Sequence, residues 1–292
     1  MKRRHFIQNL SLGVAGLYMS PLLADQFKKK SLNVQLYTVR DAVSKNLEGT
    51  LERLAGLGYK NIELYGYNGT FFGKTASEFK TILGNTGIKV LSSHHTTGIA
   101  MKGKGTLSDG WDKAVEDVHA LGAEYMVCAF LFPNERTPEI YKSLPAMFEK
   151  AATATKAAEI QFAYHNHDFE FVDHGGENGY DIIMRETDPA LVKLQMDLYW
   201  VMHSSKLSPS QLFSRQPGRF VMWHIKDMDK VTRDYSELGN GSIDYTVILP
   251  DASKAGLQYY YLEQGGNFAK DPIQSVTDSA AFFKKHLEKY LT

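Results

Sequence analysis

The chain has 292 residues, of which 43% are hydrophobic and 23% are charged, the composition of an ordinary globular protein. This length suits one large domain or two smaller ones. Lysine plus arginine equals aspartate plus glutamate, and the pI is near 7.2. Because nucleic-acid binding calls for excess positive charge, this balance argues against a DNA or RNA partner. The single cysteine, Cys128, lies in an apolar run, so we expect a buried thiol and no disulfide within the chain.

The first 25 residues have the features of an export signal. A basic start, Lys2 to Arg4, precedes a mildly apolar stretch that Gly13 and Gly16 interrupt. The pattern Arg-Arg-x-Phe-Ile resembles a twin-arginine signal, while the apolar part is too short for a membrane span. An amphipathic first helix of the domain is the alternative. We therefore predict an export signal over residues 1–25, a periplasmic location, and a catalytic domain over residues 31–292.

From residue 31 onward, short apolar runs alternate with longer amphipathic stretches. The predicted strands are Leu32–Tyr37, Asn61–Tyr65, Lys89–His94, Tyr125–Phe130, Gln161–His165, Val192–Asp197, Phe220–Ile225 and Gln258–Glu263. The predicted helices are Leu47–Leu57, Thr75–Thr86, Trp111–Leu121, Pro138–Glu159, Tyr180–Glu186, Ser208–Arg215, Tyr245–Ala255 and Pro272–Leu287. Several helices end in glycine just before the next strand, as in "LAGLGYKNIEL" and "KAGLQYYYL", which is typical of the connection from a helix to a strand.

Eight strand–helix units with nearly continuous apolar strands predict a parallel sheet closed as a single (β/α)8 TIM barrel of the α/β class. An open, doubly wound sheet is the alternative. The first strand is followed by "LYTVRDAV", which contains no glycine. An open sheet that binds a dinucleotide would carry a glycine-rich phosphate loop there, so the closed barrel is favoured.

Polar side chains stand where five of the strands end, in "SSHH", "YHNHDFE", "QMDLYW", "WHIKD" and "YLEQ". In (β/α)8 barrels the chemistry takes place at the carboxyl ends of the strands. A lone strand-end histidine is usually a loop anchor, but five such ends on one rim predict a site. The candidate metal ligands are Glu170, Asp197, His224 and Glu263, one from each of four neighbouring strands. Three carboxylates and one imidazole suit Mn²⁺, Mg²⁺ or Co²⁺ and also accept Zn²⁺.

The motifs "QLYTVRD", "YHNHDFEF", "MDLYWV", "WHIKDMD" and "YLEQ", in this order from about residue 31 to the end, resemble the xylose-isomerase-like barrel superfamily, in its branch of sugar isomerases, epimerases and inosose dehydratases. The resemblance implies one divalent metal held by Glu, Asp, His and Glu on strands five to eight. Asp197, His224 and Glu263 match this pattern directly. Strand five departs from it, because many members carry the glutamate where this chain has His165. Glu170 is the expected ligand, with His165 or His167 as alternatives.

We assign further roles around this expected site. The candidate catalytic residues are Glu170, Glu263, His167 and Lys226, and the candidate substrate-binding residues are His94, His95, His165, Asn166, Tyr199 and Trp200. A metal that polarises a carbonyl and a nearby carboxylate base together allow proton transfer at the adjacent carbon. Lys226 has a structural alternative, a rim salt bridge with Asp227 or Asp229. The aromatic residues, Trp223 included, have the alternative of core packing, and Glu63 is expected only to accept hydrogen bonds in the barrel mouth.

The predicted function is a divalent-metal-dependent isomerase or epimerase of a free sugar or polyol-type ketone, with an enediolate intermediate. A lyase or dehydratase that acts on a keto-sugar or keto-glycoside is the alternative. Two less favoured readings are a non-catalytic sugar-binding barrel and a hydrolase related to endonucleases, which the neutral charge disfavours. The expected partner is a small carbohydrate. We expect no nucleic-acid partner and no stable membrane span, and the sequence is compatible with a homo-oligomer.

Overall fold

The computed structural model describes residues 31–291, and in them eight parallel strands close into a barrel. Each strand pairs with its neighbours in chain order, and the first strand also pairs with the last, with Val34 opposite Leu262. The predicted single (β/α)8 barrel is therefore confirmed. The predicted export signal over residues 1–25 lies outside the described residues. The barrel strands are Asn33–Gln35, Asn61–Leu64, Lys89–Thr96, Tyr125–Phe130, Gln161–His165, Val192–Asp197, Met222–Ile225 and Tyr259–Leu262.

The strands bury side chains on both faces, which is why they read as continuous apolar runs. In the fourth strand, Met126 and Cys128 belong to the large core cluster, while Val127 and Ala129 belong to a second, smaller cluster. Alternate residues of a strand point to opposite faces, so the two clusters are the outer layer under the helices and the filling of the barrel. Cys128 is a buried free thiol, as predicted.

Helices cover the outside of the barrel. The α-helices are Arg40–Lys45, Leu47–Gly56, Ala76–Thr86, Trp111–Ala120, Pro138–Ala157, Gly179–Glu186, Leu198–Ser204, Pro209–Arg215, Tyr245–Ile248, Ala252–Ala255 and Pro272–Phe282. Turns of 3-10 helix are Leu36–Val39, Pro133–Glu135, Phe169–Phe171, Leu249–Asp251 and Glu288–Leu291, and Phe283–Leu287 is a π-helix. Gly87 ends its helix in the left-handed conformation, at φ 71°, as the glycine pattern predicts. Among residues 31–291, no helix is long and apolar enough to cross a membrane.

Two predicted helices are interrupted. The segment 245–255 is split by a 3-10 turn that contains Pro250, because proline lacks the N–H that a continuing helix needs. The segment 272–287 changes to a π-helix at Phe283. Short elements that the sequence pattern did not predict lie at the barrel mouth, among them Leu198–Ser204 and the antiparallel pair of Asp227–Met228 with Tyr235–Ser236. They bring residues that follow the strands back over the barrel opening.

Candidate active site

A cavity of about 640 Å³ opens at the carboxyl ends of the strands. Its deep end carries the ionisable residues His94, His165, Lys226 and Glu263, and its outer part carries aromatic rings and Arg136. Asp197 and His224 lie directly beneath, with no exposed surface. We call the group at the deep end the floor of the cavity; it consists of Glu63, His94, His165, Asp197, His224, Lys226 and Glu263.

His224 is the centre of the floor. Its Nδ1 lies 2.5 Å from Oε2 of Glu263, and its Nε2 lies 2.6 Å from Oε1 of Glu63. Burial disfavours a charged imidazole, but the two carboxylates outweigh burial and raise the pKa of His224 to about 9. At neutral pH the ring is therefore an imidazolium held between two carboxylates.

Lys226 forms the second cationic centre of the floor. Its Nζ lies 2.6 Å from Oδ2 of Asp197 and 2.7 Å from Oε2 of Glu263. Burial would raise the pKa of Glu263, but Lys226 and His224 lower it well below its usual value. Burial raises the pKa of Asp197 in spite of Lys226. The ammonium thus bridges the carboxylates at the ends of the sixth and eighth barrel strands, which flank the seventh. The alternative salt bridge with Asp227 or Asp229 is wrong.

Glu63, on the second strand, is more central than the sequence suggested. It is fully buried and accepts hydrogen bonds from Gln35 Nε2 at 2.8 Å, from Gln195 Nε2 at 2.6 Å and from the Ser92 hydroxyl. Burial would raise its pKa, but His94 and His224 lower it well below the usual range, so the carboxylate is ionised. A signal was present in the sequence: Gln35, Glu63 and Gln195 are polar residues inside strands of a barrel whose strands are mainly apolar.

The predicted histidines divide into two pairs. His94 and His165 belong to the floor, and both contact Oε1 of Gln195, at 2.8 Å from His94 Nε2 and 3.0 Å from His165 Nδ1. Nε2 of His165 is 3.6 Å from Oδ2 of Asp197. Burial lowers the pKa of His165 well below its usual value, so its ring is neutral.

His167 and His95 lie further from the floor. The ring of His167 stacks on Phe169 with centroids 5.3 Å apart, and its buried Nδ1 has no hydrogen-bond partner among the described residues. Nδ1 of His95 contacts the carbonyl oxygen of Gly105 at 2.8 Å, and burial lowers its pKa to about 4. His95 is therefore a neutral residue that anchors the loop after the third strand, although its ring also borders the cavity.

Four other residues named from the sequence differ in their placement, and only one of them lines the cavity. The amide of Asn166 is bonded to the backbone of Asp197, with Oδ1 accepting from its N–H at 3.1 Å, so Asn166 ties strand five to strand six. The hydroxyl of Tyr199 donates to the carbonyl of Arg233 at 2.8 Å, behind the cavity wall. Trp200 lines the cavity, and its buried Nε1 has no hydrogen-bond partner in the described part of the chain. Trp223 stacks on Phe213 in the outer core.

Glu170 lies apart from the floor. Its Oε1 accepts from the Tyr164 hydroxyl at 2.5 Å, and its Oε2 accepts from the backbone N–H of His167 at 2.8 Å. Burial, opposed by these hydrogen bonds, raises its pKa to about 8. The chain turns back after Asp168 into a 3-10 turn over Phe169–Phe171, which carries the carboxyl group away from the other candidate ligands. The structure therefore does not bring Glu170 to Asp197, His224 and Glu263.

The remaining three predicted ligands fit a divalent metal. One ligand atom from each of Asp197, His224 and Glu263 lies within 4.8 Å of the others. Two carboxylate oxygens and one imidazole nitrogen form a suitable donor set. Glu63 accepts from Nε2 of His224, which is the usual support of a histidine that binds a metal through its other nitrogen. His165 is the nearest strand-five candidate for a fourth ligand. A metal bound there would displace the ammonium of Lys226, because the ammonium contacts both carboxylates of the ligand set, Asp197 and Glu263.

Comparison with known proteins gives a consistent family assignment. A family model described as a xylose isomerase-like TIM barrel matches residues 51–286. A sugar phosphate isomerase/epimerase from Parabacteroides distasonis ATCC 8503 has a similar crystal structure, with a TM-score of 0.76 and 25% sequence identity over 89% of this chain and 95% of that chain. None of the curated proteins matches the chain.

Two more distant structures show the same fold. The IOLI protein, solved with a bound zinc atom, has a TM-score of 0.69 and 17% identity over 89% of this chain and 99% of its own. A xylose isomerase-like TIM barrel protein from Mycobacterium smegmatis, solved in complex with magnesium, has a TM-score of 0.67 and 16% identity over 90% of this chain and 98% of its own.

Proposed function

The chain belongs to the xylose isomerase-like TIM barrel family, and we propose that it is a divalent-metal-dependent isomerase or epimerase of a free sugar or a polyol-type ketone. The observation that carries the proposal is the convergence of Asp197, His224 and Glu263 within 4.8 Å at the deep end of the cavity. The similar structure described as a sugar phosphate isomerase/epimerase supports the reaction class. The zinc and magnesium found in two structures of the same fold support a metal as cofactor.

Asp197, His224 and Glu263 would hold the metal, with His165 as the strand-five candidate. A divalent ion held there would act as a Lewis acid on a carbonyl oxygen next to the reacting carbon. Glu263 lines the cavity as an ionised carboxylate, so it can accept the proton of that carbon. The enediolate that results carries negative charge on oxygen, and the ammonium of Lys226 can stabilise this charge from the same floor.

Epimerisation needs a second group that returns a proton to the carbon. His167 is a suitable candidate because it lines the cavity, and its buried Nδ1 has no hydrogen-bond partner among the described residues. Burial lowers its pKa well below the usual value, so its ring is neutral at rest. It would therefore act as a relay, in which one ring nitrogen takes a proton from solvent as the other delivers a proton to the carbon. Glu170 is placed less well for this role, because both of its carboxyl oxygens already accept hydrogen bonds.

The free-sugar part of the proposal rests on the cavity lining. Of the cations that line the cavity, Lys226 is bonded to two carboxylates, and the guanidinium of Arg136 lies 3.7 Å over the ring of Phe169. A phosphate group would find no cluster of free cations among these residues. An export signal over residues 1–25 also favours an unphosphorylated substrate, and export to the periplasm remains part of the proposal.

Elimination from a keto-sugar or keto-glycoside is the second candidate, because His94, His165 and His167 all line the cavity and one of them could protonate a leaving oxygen. The two reactions share the first proton transfer and differ in the product. We would incubate the metal-loaded protein with ketoses and keto-glycosides in D₂O and follow the products by NMR. A deuterated stereoisomer or positional isomer supports the proposal. An enone, or loss of water or aglycone, supports elimination, and no change in any substrate overturns both.

A further inference from the structure

The cavity is larger than one reacting sugar ring requires. Its volume of about 640 Å³ falls within the range of roughly 300–1,000 Å³ that holds drug-sized ligands. The ionisable groups occupy only its deep end, where the side chains of Lys226 and Glu263 are 3% and 9% exposed. Beyond the floor, most of the side chains that line the cavity are aromatic. A single sugar bound to the floor would leave this outer part empty.

The outer part contains a continuous series of rings, which we call the aromatic belt; it consists of Phe132, Phe130, His167, Trp200 and Tyr235. Successive ring centroids are separated by 5.4, 5.3, 5.8 and 5.9 Å. All five residues are partly exposed and line the cavity. Partly exposed aromatic rings that face a common cavity form a binding surface for flat, partly apolar groups.

The belt is held in place before any ligand binds. The guanidinium of Arg136 lies 5.3 Å over Phe130 and 3.7 Å over Phe169, and its Nε donates to the carbonyl of Leu131 at 3.0 Å. Phe169 in turn stacks on His167. Rings that are already ordered lose little conformational freedom on binding, so their contact with a ligand contributes more to affinity.

The belt also contains polar atoms without partners. Nδ1 of His167 and Nε1 of Trp200 are buried and make no hydrogen bond among the described residues. An unsatisfied buried polar atom is unfavourable, and a ligand hydroxyl group that reached it would remove this unfavourable state. A purely hydrocarbon ligand would not do so. The occupant of the belt should therefore combine an apolar face with hydroxyl groups.

We propose that the substrate carries a second ring, linked to the reacting sugar, and that this ring binds the aromatic belt while the reacting sugar contacts the floor. The second ring is either another sugar or a hydroxylated aryl group, since both have an apolar face and hydroxyl groups. This inference rests on the proposed function, because that function places the reacting sugar on the floor. It narrows the substrate class to ketoses and keto-sugars that carry such a second ring.

The test compares the binding of matched sugars to the magnesium-loaded protein by calorimetry and saturation-transfer NMR. The probes are D-glucose, cellobiose and 4-hydroxyphenyl β-D-glucoside, with the corresponding set built on D-galactose. We expect at least one two-ring probe to bind tenfold or more tightly than its monosaccharide, with strong saturation transfer to the second ring. A stronger effect in the disaccharide identifies a sugar as the second ring, and a stronger effect in the glucoside identifies an aryl group.

Phe132→Ala should reduce the ratio of two-ring to one-ring affinity to about one, and Phe132→Leu should reduce it partially. Val247→Ala, at an exposed residue far from the cavity, is the matched control and should keep the wild-type ratio. A ratio near one in the wild-type protein for every pair, or no saturation transfer to any second ring, would overturn the proposal. If the protein isomerises a monosaccharide but shows a ratio near one for every pair, the second-ring proposal is wrong and the proposed function stands. A high ratio for these probes, together with no hydrogen exchange in D₂O for any ketose or keto-glycoside, would instead remove the proposed function.

Discussion

Oε1 of Glu63 accepts a hydrogen bond from Nε2 of His224 at 2.6 Å. Glu63, on the second barrel strand, therefore orients the imidazole of His224 on the seventh barrel strand. The contact directs the other ring nitrogen, Nδ1, toward Glu263 and the cavity. In metal sites, such a carboxylate fixes the tautomer of the ligand histidine and increases its basicity. Glu63 is therefore a positioning residue, and in the proposed metal site its effect would reach the metal through His224.

Glu63→Gln should weaken metal binding by about 10- to 100-fold, the usual effect of losing a carboxylate behind a histidine ligand. The amide keeps the shape of the side chain but no longer stabilises Nε2–H as a charged partner. Calorimetric titration of the metal-free variant with Mn²⁺ or Zn²⁺ measures the change. Wild-type affinity in a folded Glu63→Gln protein would show that His224 does not bind the metal.

Asp197→Ala and His224→Ala should each reduce the bound metal sharply, because each removes one donor of the predicted set. Metal content measured on dialysed protein, with circular dichroism to confirm folding, checks this outcome. Glu116→Ala removes an exposed carboxylate and serves as the control. Full metal occupancy in both site variants would refute the ligand assignment.

Lys226→Met should bind the divalent metal more tightly than the wild-type protein. The ammonium occupies the space between Asp197 and Glu263, so a metal must displace it, and two unit charges 4 Å apart interact by about 4 kcal/mol at an effective dielectric constant of 20. We expect an increase in affinity of roughly tenfold or more, together with a loss of turnover. Lys230→Met, at an exposed position on the same segment, is the matched control. Unchanged or weaker metal binding in Lys226→Met would place the metal elsewhere.

The barrel was predictable because its strands are bounded by sharp changes in polarity. Tyr125–Phe130, Gln161–His165 and Val192–Asp197 agree with the structure residue for residue. Each is a mainly apolar run that begins after a helix end, and two of them, Gln161–His165 and Val192–Asp197, stop at a polar group, while Tyr125–Phe130 is followed shortly by Pro133. The short helices and the strand pair at the barrel mouth were missed, because elements of two to seven residues lack a repeating pattern.

The site was predictable only where a residue lies on a strand or at its end. The positions of Asp197, His224 and Glu263 follow from the barrel geometry itself, so their convergence could be expected. Glu170 follows its strand by five residues, and the direction of its side chain depends on the turn at Phe169–Phe171, which spacing alone does not specify. The sequence did not predict the position of Glu63 within the floor, because its hydrogen-bond partners Gln195 and His224 lie on strands that are distant in sequence.

Glu170→Gln should change how the stability of the metal-free protein depends on pH. The folded-state pKa of about 8 lies above the unfolded value of about 4.3, so the folded protein holds an extra proton between these two values. The free energy of unfolding should therefore fall as pH rises from about 4.3 to about 8, by at most about 1.4 kcal/mol per pH unit.

The glutamine cannot ionise, so Glu170→Gln should be more stable than the wild-type protein at pH 9 and differ less at pH 5. Urea unfolding from pH 5 to pH 9 measures both, with the exposed substitution Glu116→Gln as control. The opposite result would be a variant that loses stability relative to the wild-type protein as the pH rises from 5 to 9. That result would show that Glu170 is an ionised and stabilising carboxylate.

Glu263 is the residue that we expect to move a proton at the carbon next to the substrate carbonyl. The most direct measurement is the exchange of that carbon's hydrogen with D₂O, followed by ¹H NMR for the wild-type protein and Glu263→Gln at equal metal occupancy. Loss of a general base usually reduces the rate by about 10²- to 10⁴-fold, and we predict a decrease of at least about a hundredfold in both exchange and turnover. Exchange at the wild-type rate in Glu263→Gln would contradict the claim and reduce Glu263 to a metal ligand.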